Sequence, residues 1–456
     1  MTRSHNATTR APATPMSLKS LILPFILLLT AAGFILLRVP ATICQPRFWA
    51  EEGSIYFAGA WNNGFIEGLT GTYGLGYYAA WANLAATASA YLLPLEWAPA
   101  GTMFASLMAQ LIPIGIICFS GSEFWRKPSA KILAVAFILF TRLSGEIWLN
   151  TITSQFHLSL AAFLLLMEPA ADATPQRRWI YRIILLLCGT TGVTSIFLGP
   201  IFYYLAFRDK DRERWVQCGI LTACAIMQMA IVLSGPMIGN RFSGLSAFTY
   251  AAILCTKNLA LPFIGISGAQ KTAEYLTHIK ETQSLGVQNL IGTALLLVII
   301  LFWSFWIAQL PRRSRVVFAG GLVLLSGMSF LSMLSPKWDA VSAEAAARYS
   351  YATNVIECLC ILSCFTFWKE QKTARKTVVL AALFSASAAL GGLLDYRATA
   401  FISTDCPPWR SEVEIWRRDP NHPLNIWPNW LVHLRQHPPK PEPQNSPAKN
   451  GEPSHD

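Results

Sequence analysis

The chain has 456 residues, 53% hydrophobic and only 13% charged, with a mean hydropathy of +0.39. Soluble domains carry about 25% charged residues, because charge is what meets water; half that share excludes a soluble enzyme, a disordered protein and a secreted disulfide scaffold. The net charge of +11 sits mostly in short basic clusters between apolar runs, a pattern of membrane topology that argues against nucleic acid as a partner.

Residues 1–17 are polar and read as a disordered tail, and Arg3, Arg10 and Lys19 predict a cytoplasmic N-terminus. The first apolar run, Ser20–Leu37, has no small-residue cleavage site after it and reads as a spanning helix rather than a secretory signal. Then come Gly68–Leu95, Trp97–Ser122, a short Ile132–Thr141, Ile147–Met167 and Ile183–Phe207. Trp215–Asn240, Gly286–Leu310, Val316–Ser335, Tyr349–Trp368 and Thr377–Leu394 complete the series. A span needs about 20 apolar residues, so the pattern predicts an all-α, polytopic transmembrane helical bundle of about 11 apolar elements. Its units are the tail 1–17, a transmembrane part 18–395 with a first outer loop at 39–72, an outer C-terminal segment 396–435, and a Pro-rich disordered tail 436–456.

Basic loops at Arg177/Arg178/Arg182, Arg208–Arg214, Arg312–Arg315 and Lys369–Lys376 mark the inner side. The stretches 241–285 and 336–348, and everything after Leu394, then fall outside. One region does not close: two apolar runs separate the outer loop from Arg126/Lys127/Lys131, where an odd number of crossings is required. Either Gly68–Leu95 is partly interfacial or Arg126 lies outside. Ile183–Phe207 is interrupted by Gly189, Gly192 and Gly199-Pro200 and reads either as two half-helices walling a cavity or as one kinked helix; irregular backbone at membrane depth survives only where protein or a cavity covers it. The cysteines lie mostly inside apolar runs, as small hydrophobes. Cys44 and Cys406 fall in outer segments and could pair in an oxidising compartment.

Scarce charge makes each outer acid informative. Glu51 and Glu52 follow the first span, flanked by Phe48, Trp49, Tyr56, Phe57 and Trp61. Beside a low-dielectric surface such carboxylates have raised pKa values and can act as a general base; the alternative is a solvated juxtamembrane pair with Arg47 within reach of Glu51. Glu146 precedes Asn150, Gln155 and His157, polar groups that should face protein or water, or else simply cap and fill a helix start. Arg348-Tyr349 stands at an outer helix mouth, where a guanidinium can hold a phosphate or snorkel to the interface. Glu357, two turns further in, is an intramembrane acid and marks either a cavity or a buried ion pair.

Together these stretches resemble the GT-C superfamily of multi-spanning glycosyltransferases, and within it a poorly characterised bacterial group. The matching positions are Ala50-Glu51-Glu52-Gly53, Tyr73-Gly-Leu-Gly-Tyr77, Glu146 with Gln155-Phe156-His157, loosely Gly192–Pro200, and the tail Trp409–Pro420 with Leu424-Asn-Ile-Trp-Pro428. The group's acidic pair contains an Asp where both members here are Glu, which leaves open which of the two is the base. The resemblance implies a bacterial inner-membrane enzyme with a periplasmic C-terminus. It would move a sugar from a polyprenyl-phosphate donor to a glycan or lipid acceptor of the cell envelope, inverting at the anomeric carbon. Glu51 or Glu52 would be the base, Arg348 (with Tyr349) or His157 the phosphate's partner, and Glu146 an aid to the acceptor or to a divalent metal, Mg or Mn. Two other classes stay open: a flippase or permease for a lipid-linked saccharide, and a non-catalytic assembly factor.

Overall fold

A computed structural model describes residues 18–38, 40–235, 245–333, 337–397 and 407–436. The predicted disordered tails (1–17 and from 437 on) and Cys406 lie outside the described residues, and with Cys406 the pairing considered for Cys44. The chain is a bundle of α-helices with one two-stranded hairpin. Among the described residues eight helices are long and apolar enough to cross a membrane, and two shorter apolar helices, Pro128–Leu139 and Ser154–Met167, pack among them. The protein is therefore a polytopic membrane protein, built from somewhat fewer full-length spans than the apolar runs predict.

In chain order the helices are α1 Leu18–Arg38, α2 Pro40–Cys44, α3 Ala58–Asn63, α4 Phe65–Thr70, α5 Ala80–Leu92 and α6 Ala98–Cys118. Next come α7 Pro128–Leu139, α8 Ser154–Met167, α9 Pro175–Thr190, α10 Gly199–Asp209 and α11 Arg212–Ser234. The second half holds α12 Ala247–Leu254, α13 Leu261–Thr282, α14 Leu285–Ala308, α15 Arg312–Ser332, α16 Tyr351–Phe367, α17 Arg375–Leu394 and α18 Trp409–Arg418. Proline stands in the first turn of α6, α7, α9, α10 and α13, where its missing N–H would have no partner anyway. Asp211 caps α11 by accepting from Glu213 N at 2.9 Å. Nearly every side chain of α16 is buried, so this helix is the axis of the bundle, whereas Leu290, Leu297 and Leu301 of α14 point outward, as a lipid-facing helix requires.

Contacts between helix ends sort the bundle into two poles. At one, Arg38 lies between the rings of Trp148 and Tyr396, 4.8 and 4.6 Å from their centroids, and donates to the Leu139 and Tyr396 carbonyls. This brings the C-terminal ends of α1, α7 and α17 together. At the other, Arg177 donates to Phe119 O (2.7 Å), Lys131 to Cys118 O (2.6 Å), and Arg214 to the carbonyls of Leu165, Leu166 and Glu168 (2.9, 3.1 and 2.6 Å). Arg182 pairs with Glu213 at 2.6 Å and Arg313 with Asp209 at 3.2 Å. The basic clusters thus share one pole.

The crossing that did not close in the sequence is resolved at Gly68–Leu95. Its helix α5 has 13 residues, and the first loop and the C-terminal segment hold both of its ends: Asn83 Nδ2 donates to Gly71 O at 2.8 Å near its start, and Trp409 Nε1 donates to Leu95 O at 2.9 Å just past its end. It stays at the pole opposite the basic clusters, and α6 alone makes the crossing. Ile183–Phe207 is broken: α9 ends at Thr190, a short turn occupies Ser195–Leu198, and α10 begins at Gly199.

A second, smaller core caps the pole away from the basic clusters. Phe48, Phe57, Trp409, Val413, Trp416, Leu424 and Ile426 are buried together, joining the first loop to the C-terminal segment. The hairpin β1 Leu424–Ile426 and β2 Trp430–Val432 is antiparallel, with Ile426 opposite Trp430. Ala50 N donates to Trp427 O at 2.6 Å and Trp427 N to Phe48 O at 3.1 Å. Trp409 Nε1 reaches Leu95 O and Trp61 Nε1 reaches Arg435 O, both at 2.9 Å.

Among the described cysteines Cys44 is the exposed one, at this capped pole, and the other eight are buried. A membrane-impermeant maleimide applied to right-side-out membranes carrying a Cys406→Ser protein is expected to label Cys44. Labelling only after the membranes are opened would invert the orientation that the basic clusters predict.

Candidate active site

The site is built where the cap meets the bundle. After α2 the chain continues without helix to Trp49, passes Ala50 at φ 41°, and enters a π-helical turn, Glu52–Phe57. Adjacent residues on a helical turn point about 100° apart, so Glu51 and Glu52 face different surroundings. Glu52 turns inward and is 1% exposed. Its Oε1 accepts from Thr151 N at 2.8 Å and Thr151 Oγ1 at 2.7 Å, and its Oε2 from Trp49 N at 3.2 Å. Burial pushes its pKa from 4.5 up to about 7, against the lowering effect of these donors. Glu51 is half-buried and opens into a cavity of about 570 Å³.

That cavity collects residues from the whole length of the chain: Glu51 and Tyr56 from the first turn, Tyr77 from the loop before α5, Glu146, Gln155 and Phe156 around the start of α8, Asp339, Arg348 and Tyr349 ahead of α16, and Trp430 from the hairpin. Glu146 sits on the 3₁₀ turn Gly145–Ile147 and forms an ion pair with Arg348, on the turn Ala347–Ser350. The guanidinium also lies over the Tyr349 ring, 5.2 Å from its centroid, and Phe156 meets that ring edge-on at 5.3 Å. Burial, followed by neighbouring tyrosines and the Glu51 charge, raises the pKa of the Tyr56 and Tyr77 hydroxyls, so both are protonated donors at neutral pH.

The broken helix supplies a further wall. Val193 and Thr194 line the cavity, and Thr194 Oγ1 lies 2.5 Å from Ser159 Oγ. Gly192 has φ 81°, and a β-carbon there would strike the Gln155 side chain, so both backbone conformation and close approach require glycine. From α11, Gln228 clips the break to the Tyr78 loop, accepting from Tyr78 N and donating to Tyr78 O, each at 2.9 Å.

Besides Glu52, which is turned inward, three of the expected site residues lie outside the cavity wall. His157 is fully buried, its Nε2 3.2 Å from Ile147 O and its ring 4.7 and 4.8 Å from those of Trp148 and Tyr351; it is a core residue, because the helix turn after Gln155 and Phe156 rotates it away from the cavity. Asn150 is buried too. It donates to Glu146 O at 2.6 Å and accepts from Thr153 N at 3.1 Å, shaping the turn that presents Glu146. Glu357 accepts from Trp303 Nε1 at 2.9 Å inside the bundle and is not part of the cavity lining. Asp339 carries no role in the sequence reading, where it falls only within the outer stretch 336–348. Glu51, Glu146 and Asp339 all line the cavity, yet among the described residues no three acid, imidazole or thiol groups gather closely enough to hold a metal ion.

No family model matches the chain, and no curated protein matches it. Among solved structures it is similar to ArnT from Cupriavidus metallidurans bound to undecaprenyl phosphate, at 13% identity and a TM-score of 0.39, over 82% of this chain and 75% of that one.

The raised pKa of Glu52 has a measurable consequence. The native state prefers the protonated acid, so the stability this group contributes is full below about pH 4.5 and is lost as pH rises to about 7. At 1.36 kcal/mol per unit the loss is about 3 kcal/mol. Thermal unfolding in detergent at stepped pH is expected to show this decline in the wild type and a flatter profile for Glu52→Gln, whatever the offset between the two proteins. Parallel profiles would show that Glu52 does not titrate in this range.

Proposed function

We propose that this chain is a membrane glycosyltransferase that moves a sugar from a polyprenyl-phosphate donor to a hydroxyl of a cell-envelope glycan or lipid. One observation carries the reading. The stretches whose motifs resemble the GT-C superfamily, from Ala50-Glu51, Tyr77, Glu146 with Gln155-Phe156, Val193-Thr194 and the C-terminal hairpin, converge on one cavity with Arg348 in its wall. Chance juxtaposition of unrelated loops would not bring together an acid, a guanidinium and six aromatic rings (Trp49, Tyr56, Tyr77, Phe156, Tyr349, Trp430).

The chemistry needs three things, and each has a candidate. Of the adjacent pair, Glu51 is the carboxylate open to the cavity, whereas the Glu52 carboxylate is occupied by Thr151 and Trp49; Glu51 therefore takes the acceptor's proton. The acceptor oxygen attacks the anomeric carbon from the side opposite the phosphate, the carbon–oxygen bond to phosphate breaks with its electron pair, and the configuration inverts. Arg348 receives the charge that accumulates on the departing lipid phosphate. A guanidinium has five donors, so pairing with Glu146 orients it and leaves others for phosphate oxygens. The aromatic walls suit the C–H faces of a sugar ring, and the protonated Tyr56 and Tyr77 hydroxyls supply donors to its oxygens.

The positive-inside rule puts the basic pole in the cytoplasm and the cavity at the outer face of the bacterial inner membrane, with the C-terminal segment periplasmic. The transporter alternative is less well supported, since the cavity's polar groups gather at one pole and Glu357, a buried acid of α16, accepts from Trp303 instead of facing that cavity.

Glu51→Gln is expected to remove a sugar from an envelope glycan or lipid, a loss of about 10²–10⁴-fold in rate if a general base is removed, with protein level unchanged. Mass analysis of the envelope glycans in cells carrying the variant checks this; full modification would end the catalytic reading. Arg348→Ala is expected to weaken binding of undecaprenyl phosphate to the purified protein about tenfold or more, as loss of a charged hydrogen bond implies, whereas Arg178→Ala at the opposite pole leaves it unchanged. Equal affinities would contradict the role of Arg348.

A further inference from the structure

Between α12 and α13 the chain makes a π-helical turn, Cys255–Ala260. Lys257 points from it into the protein and is fully buried. Its Nζ donates to the carbonyls of Ser342 (2.7 Å), Ala343 (3.1 Å) and Ala345 (2.6 Å). Those three bonds are the whole donor complement of an ammonium, and among the described residues no carboxylate pairs with it. The next residue reaches in another direction. Asn258 Nδ2 donates to Asn354 Oδ1 at 2.6 Å, and Asn354 Nδ2 returns a bond to Lys257 O at 3.1 Å. One turn thus grips both the 342–345 loop and α16, and the segment that carries Arg348 lies between the two grips.

The loop has little of its own to hold it. Its local bonds are Ser342 N to Asp339 O (3.4 Å), Ala345 N to Ser342 Oγ (3.1 Å), Ala347 N to Glu344 O (3.3 Å) and Tyr349 N to Ala346 O (3.2 Å). Ala346 sits at φ 55°, the left-handed region that a β-carbon disfavours. A conformation this weakly supported from within is set from outside. A methionine at 257 would fill similar space without the cost of burying a charge; what the ammonium adds is the convergence of three carbonyls on one point.

We propose that Lys257 is a positioning residue of the cavity. By fixing the 342–345 backbone it sets the aim of Arg348 toward a phosphate-bearing lipid, an inference that rests on the role of Arg348 given above. Lys257 itself does not line the cavity and acts only through the loop.

The test uses the full chain in nanodiscs, as wild type, Lys257→Met, Lys257→Arg and Arg348→Ala, with undecaprenyl phosphate as the probe. Lys257→Met is expected to speed amide hydrogen exchange at 343–349 about tenfold or more while other helices keep their protection. It should also weaken probe binding about tenfold or more, with Lys257→Arg restoring affinity to within about threefold of wild type. If Lys257→Met does not fold, Lys257→Gln, which keeps two N–H donors, takes its place with the same readouts. Unchanged exchange at 343–349 overturns the proposal. So does faster exchange with unchanged affinity when Arg348→Ala does weaken binding. If Arg348→Ala binds like wild type, it is the phosphate-binding role of Arg348 that has failed, and exchange, which needs no ligand, decides whether Lys257 sets the loop.

Discussion

The buried carboxylate of Glu52, held by Thr151 and Trp49, is the tie on which the site depends. It fastens the turn after the first span to the segment that leads into α8, two stretches nearly a hundred residues apart. Each such hydrogen bond is worth about 0.5–1.5 kcal/mol to a neutral carboxyl and more to an ionised one, and the same buried carboxyl left unpaired would cost about 1–3 kcal/mol. The tie also divides labour within the acidic pair. With Glu52 committed inward, helical geometry leaves Glu51 on the cavity side. A pair that looks equivalent in sequence is one anchor and one open acid.

A related economy governs the cations. In a chain that is 13% charged, several buried or half-buried basic groups form no ion pair among the described residues. Arg38, Arg177, Arg214 and Lys131 each donate to carbonyls at or just beyond the C-terminal ends of helices, where backbone acceptors lack partners within the helix. Positive charge there also meets the negative end of the helix dipole. Lys257 does the same for a loop rather than a helix end. Against this background Arg348 is different: it faces a cavity, and its partner Glu146 is also on the cavity wall.

Much of the architecture was legible because lipid imposes simple rules. Apolar runs, the glycine-interrupted Ile183–Phe207 segment and the basic clusters are all properties of local sequence, and the helices and poles follow from them. What local sequence could not resolve was α5, whose composition passes for a span although both of its ends are held at the pole away from the basic clusters. It also could not separate Gln155 and Phe156, which face the cavity, from His157, one position on and buried against Trp148 and Tyr351. Burial of polar groups is decided by tertiary neighbours, and for Asn150 and Glu357 those neighbours are Glu146 O and Trp303. Asp339 went unassigned because its place in the wall depends on a loop conformation that α12 and α13 impose from far away in sequence.

The central claim is that this cavity receives a lipid phosphate at Arg348 with Glu51 facing the same space. An electron cryomicroscopy map of the protein in nanodiscs with added undecaprenyl phosphate tests it most directly. The account predicts phosphate density within hydrogen-bonding distance of the Arg348 guanidinium, with the isoprenoid chain leaving the cavity toward the bilayer. Phosphate density bound at the basic pole, with the Arg348 cavity empty, would contradict it.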